Sequence, residues 1–184
     1  MQVRRVVTGH DANGKSVLIS DGPAPRARVG VHHPGFAEAL LWSTAETPTL
    51  PASHQDPTPS VTSFMAEPGG TRFLMVTFPP DSVMQSPGFD GAKAFEEHRK
   101  GTPGIAERME PDNPGMHFTD TVDYIVILDG EVWLELDDGK EVLLKKHDVV
   151  IQNGTRHAWR NRSDRNVTIA AVLVGARWRE RELN

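Results

Sequence analysis

Gly115-Met116-His117-Phe118-Thr119-Asp120-Thr121-Val122-Asp123-Tyr124-Ile125-Val126-Ile127-Leu128-Asp129-Gly130 is the stretch that decides the fold of this 184-residue chain. Side chains of an extended segment alternate between two faces, so His117 and Thr119 share one face. Asp123 has the same parity after a turn, and Tyr124 points the other way. Downstream, Glu131 to Leu136 alternates cleanly and places Val132, Leu134 and Leu136 together. Asp138-Gly139 signals a hairpin, Glu141 to Leu144 and Asp148 to Ile151 read as short strands, and Val167 to Val174 is the last strong one. Between them lies Gly154-Thr155-Arg156-His157-Ala158-Trp159-Arg160-Asn161, in which His157 and Trp159 share a face. Short strands at regular spacing with turns between them predict a sandwich or barrel.

Upstream, Arg72 to Phe78 reads as a strand stopped by Pro79-Pro80, and Phe89 to Lys100 as the one helix, ended by Gly101. Val3 to Val7 and Ser16 to Ser20 flank Asn13-Gly14, a dipeptide suited to a two-residue hairpin turn. Leu40 to Thr44 is a further short strand. Thr47 to Gly70, rich in Pro, Ser, Thr and Gly, is expected to be an exposed loop with weak order.

Composition narrows the function classes. Sixteen glycines and 14 prolines fit a turn-rich, mostly β chain. The net charge of −5 gathers in no tail, and no basic stripe points to nucleic acid. No apolar run suits a bilayer, and the first residues lead into no signal-like segment. The absence of cysteine rules out disulfides and thiolate chemistry and fits a cytoplasmic location.

The two motif-bearing stretches resemble the two sequence motifs of the cupin family. In the first, His117, Thr119, Asp123 and Gly130 stand where that family usually carries His, a second His, Glu and a closing Gly. In the second, Gly154, His157 and Asn161 match the Gly-x-x-His-x-x-x-Asn ending, with Gln152 in place of proline and His147 near the usual opening glycine. With its flanking strands the resemblance runs from Arg72 onward. It implies an all-β, cupin-like jelly-roll barrel with an N-terminal β-hairpin extension and one or two short helices. Residues 1–71 form the extension, packed on a barrel of residues 72–184 within one structural domain.

The resemblance further implies a small ligand inside the barrel. His117, Asp123 and His157 are the expected metal ligands, a set that suits a divalent transition metal such as Fe, Mn, Ni or Zn. Thr119 is a poor ligand, because a neutral hydroxyl competes weakly with water, and it joins Trp159, Ile125, Met75 and Phe73 as a cavity or substrate residue. Two functions follow: a metal-dependent enzyme of oxygenase, isomerase, decarboxylase or lyase type acting on a small oxygenated organic substrate, or a non-catalytic, metal-free barrel that binds a small ligand. His10, His54 and His98 read as surface histidines, His32-His33 as a weak site candidate, and Arg156 and Arg160 as outward-facing. A homodimer is expected, with the N-terminal hairpin at its interface.

Overall fold

Asp11 closes the first hairpin, its Oδ1 accepting from the backbone N–H of Asn13 at 2.8 Å and of Lys15 at 2.9 Å while Gly14 takes φ 77°. A positive φ at that corner is what glycine allows at no steric cost. In the computed structural model, which describes residues 2–179, this hairpin joins β1 (Arg4–His10) to β2 (Ser16–Pro23). The chain continues through β3 (Arg26–Val29), β4 (Ala37–Thr44), β5 (Thr71–Phe78) and helix α1 (Gly91–Gly101). It then runs through β6 (Thr121–Asp129), β7 (Glu131–Glu135), β8 (Glu141–Lys145), β9 (Val149–Asn153), β10 (Ala158–Arg160) and β11 (Val167–Gly175).

Two sheets build the barrel. One has six strands in the order β3-β4-β5-β11-β6-β9, the other three in the order β10-β7-β8, and β1-β2 forms a separate ribbon. Every named pairing is antiparallel. The register lines up Leu40, Leu74, Ala171 and Ile125 across four neighbouring strands on the inner face of the large sheet. Val132, Leu134 and Leu144 of the small sheet meet that row in one core. Burying an aliphatic side chain of this size stabilises by about 1.5–3 kcal/mol, so the alternation of β6, β7 and β11 fixes how the two sheets face each other. This is the expected all-β jelly-roll architecture.

Helix α1 starts at Asp90, whose carboxylate accepts from the Lys93 backbone N–H at 3.0 Å, and ends at Thr102, whose N–H returns to the His98 carbonyl at 2.8 Å. An acidic cap at the start and His98, Arg99 and Lys100 in the last turn complement the helix dipole.

Two expectations need correction. The segment 47–70 is not a bare loop: Phe64 enters the main core, Thr58 is fully buried, and Asp56 pairs with Arg5. One aromatic in a polar stretch suffices to anchor it, because Arg26 covers the Phe64 ring at 5.1 Å and the Pro103 carbonyl accepts from its backbone N–H at 2.7 Å. The boundary at 71/72 is not a structural one, since β4 pairs with β5 across it and β3 pairs with β4, so the extension supplies two strands of the barrel sheet. Strand β3 is short and polar, which left no hydrophobic period to read. The end of the expected barrel segment, 180–184, lies outside the described residues.

Candidate functional site

His117 and His157 arrive from opposite sides and bridge each other: each backbone N–H donates to the other's carbonyl, at 3.0 and 2.9 Å. Their rings stand 4.5 Å apart between centroids. Each Nδ1 lies 2.9 Å from the carbonyl oxygen of the residue two before it, Gly115 for His117 and Thr155 for His157. A carbonyl only accepts, so Nδ1 carries the proton in both rings and each Nε2 keeps its lone pair. Burial lowers the pKa of both rings, that of His157 to about 4, where the neighbouring His117 adds to the effect. At neutral pH the site is therefore a pair of neutral imidazoles with fixed tautomers, the protonation state that metal ligation requires.

The loop that delivers His117 is held from below by two arginines. Arg156 binds both oxygens of Glu110 at 2.5 and 2.6 Å. Arg160 donates to the Pro114 carbonyl at 2.6 Å and to Asn113 Oδ1 at 2.9 Å while pairing with Glu135. Their outward parity, read as a surface role, instead fastens the 110–115 turn to the barrel wall.

Asp123 lies on the inner face of β6, buried with Thr121, Ile125 and Ile127, across from Gln152 on β9 and Leu173 on β11. Its Oδ1 is buried and has no hydrogen-bond partner among the described residues. Burial pushes its pKa up to about 6. The Thr121 hydroxyl donates to Thr119 Oγ1 at 2.8 Å, so Thr119 is buried, accepting at its oxygen and keeping its own O–H to donate. Among the described residues no three His, Cys, Asp or Glu side chains converge as a metal-binding group. The expected convergence of His117, Asp123 and His157 is thus realised for the two histidines and not for the full set. The reason is connectivity: the histidines pair across loop ends, whereas Asp123 sits within a regular strand whose register is set by Gln152 and Leu173.

Over 160 residues, 86% of the chain, the sequence is 33% identical to phomopsin biosynthesis cluster protein C' of Diaporthe leptostromiformis, covering 70% of that protein. It is 30% identical over 166 residues to oryzines biosynthesis cluster protein J of Aspergillus oryzae, covering 88% of the chain and 76% of the relative. A cupin-domain-containing oxidoreductase of Aspergillus ruber is 27% identical over 165 residues, 87% of the chain and 64% of that protein. The chain belongs to the family of these fungal biosynthesis-cluster proteins, and its fold is that of a cupin barrel. No protein-family profile matches it.

Within the cupin barrel the remaining motif positions have structural explanations. Gly130 takes φ 83° between β6 and β7, and a Cβ there would stand 2.8 Å from the Asn166 carbonyl. Gly154 takes φ 61° with the Thr119 carbonyl 3.0 Å from where its Cβ would be. His147 adopts φ 75° near the usual opening glycine. Asn161 is a turn clamp, donating through Nδ2 to the Phe78 and Arg165 carbonyls at 3.1 and 2.8 Å and accepting from Ser163.

Of the expected cavity residues, Ile125 is in the core and Trp159 packs against it, edge-on to His157 at 5.8 Å. Phe73 and Met75 lie on the opposite face of β5 from buried Leu74. Phe73 is exposed, and Met75 joins a small outer cluster with Ala39 and Leu41. A seven-residue run apolar on both faces gave no parity to read. His98 also departs from its surface reading: its ring meets Phe36 edge-on at 5.2 Å, and burial lowers it to about 4, reinforced by Arg28, His117 and His33. Sequence reasoning missed Glu38, a buried acid within the apolar run Ala37–Leu41. A charge inside an otherwise uninterrupted buried strand was the available signal.

Proposed function

We propose that this cupin is a metal-dependent enzyme that oxidises a small oxygenated organic substrate inside the barrel. The observation that carries the reading is the His117–His157 pair, whose two Nδ1–H groups are tied to backbone carbonyls so that both Nε2 lone pairs are free. Kinship to a cupin-domain-containing oxidoreductase supports the reaction class. The donor chemistry fits a divalent transition metal: two neutral imidazoles, plus the Asp123 carboxylate oxygen that no group among the described residues satisfies. His117 and His157 would hold the ion, and Asp123, which does not converge with them in this structure, would have to move toward the pair to serve as the anionic third ligand. Such an ion supplies Lewis acidity toward a substrate oxygen or a site for dioxygen chemistry. Thr119 orients the substrate through its hydroxyl, and Trp159 and Ile125 keep water from the reacting face.

A second reading rests on the incomplete convergence of the three groups. In it the barrel binds a small ligand without a metal, and Asp123, poised near pH 6, hydrogen-bonds a ligand hydroxyl through Oδ1. Elemental analysis of protein purified without chelator, followed by calorimetric titration with Mn(II) or Fe(II), separates the two. The enzyme reading expects one ion per chain, and binding lost in His157→Ala. Absence of binding in the native protein leaves the metal-free pocket.

We further propose a homodimer. Phe73, Val172, Tyr124 and Ile151 stand side by side across four strands on the outer face of the large sheet, with Tyr124 51% and Ile151 52% exposed. An apolar row of this length is a surface suited to a second subunit. No described helix is long and apolar enough to cross a membrane. The cysteine-free composition supports a cytoplasmic location.

A further inference from the structure

The barrel carries a second polar centre, built from residues other than the histidine pair, where β3 and β4 meet the end of α1. Glu38 is 3% exposed in the middle of β4, and its Oε1 accepts from Arg28 Nε at 2.5 Å. The pair is only half satisfied: Glu38 Oε2 and Arg28 Nη2 are both buried without a partner among the described residues. A buried ion pair with two unmet groups costs stability rather than adding it, so its retention calls for a use. Two clefts adjoin it, one of about 240 Å³ lined by Arg26, Arg28, Glu38 and Phe64, the other of about 750 Å³ running along α1 past His32, Lys93 and Glu97. Arg28, Lys100 and Gly101 line both.

The geometry is built around the absence of a side chain at Gly101. A Cβ there would fall on the Arg28 guanidinium, so glycine is what lets that group lie against the helix end. Arg26 is already committed, donating to the Thr58 and Val61 carbonyls and covering Phe64. Among the described residues Lys100 is held only by a surface pair with Glu96 at 3.3 Å, a contact weak enough to be given up. The last turn of α1 thus borders the clefts beside an unsatisfied donor and an unsatisfied acceptor, and brings a displaceable cation to their rim.

We propose that this centre binds a small carboxylate bearing an O–H or N–H on the adjacent carbon, an α-hydroxy or α-amino acid unit. Its carboxylate is received by Arg28 Nη2 and Lys100, and its neighbouring O–H or N–H donates to Glu38 Oε2 as the Lys100–Gly101 turn shifts to admit it. The carboxylate supplies what the guanidinium lacks and the donor supplies what Glu38 lacks, so one ligand satisfies both orphans. A plain carboxylate satisfies only the first. The site needs neither a metal nor the histidine pair, so its test stands apart from that of the enzyme reading.

The experiment is calorimetric or NMR titration of the full chain with lactate, alanine and acetate. Lactate or alanine is expected to bind at least tenfold more tightly than acetate, and whichever binds better identifies the neighbouring donor. Glu38→Gln is expected to erase most of that preference, because its amide replaces one acceptor oxygen with a donor. Lys100→Ala changes an exposed side chain that the fold does not depend on, and is expected to weaken binding severalfold. Gly101→Ala is expected to weaken it further by expelling the guanidinium. Equal binding of all three acids, no binding of any, or affinities unchanged in both Lys100→Ala and Glu38→Gln overturns the proposal.

Discussion

Asp123 shows how one oxygen atom separates two roles. Its Oδ1 is buried and unpaired, and the carboxyl is pushed up to about 6 chiefly by burial. In protein stripped of metal, Asp123→Asn removes a buried charge and keeps the shape, so the thermal midpoint at neutral pH should rise. The same change should weaken Mn(II) binding by about tenfold or more, the scale of losing a ligand contact. Scanning calorimetry and metal titration read the two effects, and a variant that binds Mn(II) as tightly as the native protein removes Asp123 from the ligand set. His98 gives a different signature. Its folded pKa is about 4 and its unfolded value about 6.5, so between these the unfolded chain binds the extra proton. Stability should therefore fall as pH drops from 6.5 toward 4. The loss is about 2 kcal/mol, discounted because solvent reaches part of the residue. His98→Gln should flatten that portion of a denaturation-versus-pH curve, and an unchanged slope would place the titration elsewhere.

At the scale of elements, the β6–β7 corner is the sharpest test. Gly130 combines φ 83° with the Asn166 carbonyl and Val167 Cα inside 3 Å of any added Cβ. Gly130→Ala should cost about 2–4 kcal/mol by urea denaturation, more than the roughly 1 kcal/mol of a strained but open glycine. Gly139, at φ 68° with nothing within 4 Å, is the matched control. The sequence made this corner readable because Asp129-Gly130 ends one alternating run and Glu131 begins the next. Strands β6, β7 and β11 were legible for the same reason, each alternating with one buried face. Strand β4 was only partly legible, since five consecutive buried residues carry no period. Phe73 and Met75 were assigned to the wrong face of β5 because that strand is apolar on both sides. The histidine pair was foreseeable from the parity of two short motifs. The position of Asp123 relative to it was not, because that depends on the register of β6 against β9 and β11.

The whole molecule adds what no single element contains. The β1-β2 ribbon belongs to neither barrel sheet and leaves Val6 and Leu18 more than half exposed, while the outer face of the large sheet presents Tyr124 and Ile151. If these surfaces meet in a homodimer, deletion of residues 1–22 should yield monomer or aggregate by light scattering, and a truncated chain that remains dimeric removes the ribbon from the interface. The strand order carries a further consequence, one of timing. Strand β11 lies between β5 and β6, although 88 residues separate Phe78 from Val167 in sequence numbering. On a ribosome, β5 and β6 would leave the exit tunnel with their facing edges bare and would wait for their common partner. Until it arrives the nascent sheet is two open fragments, each offering backbone donors and acceptors to any passing strand. A sheet completed from its middle is slow to form by topology alone, and a chain cut before Val167 should collect as insoluble material rather than as a smaller barrel.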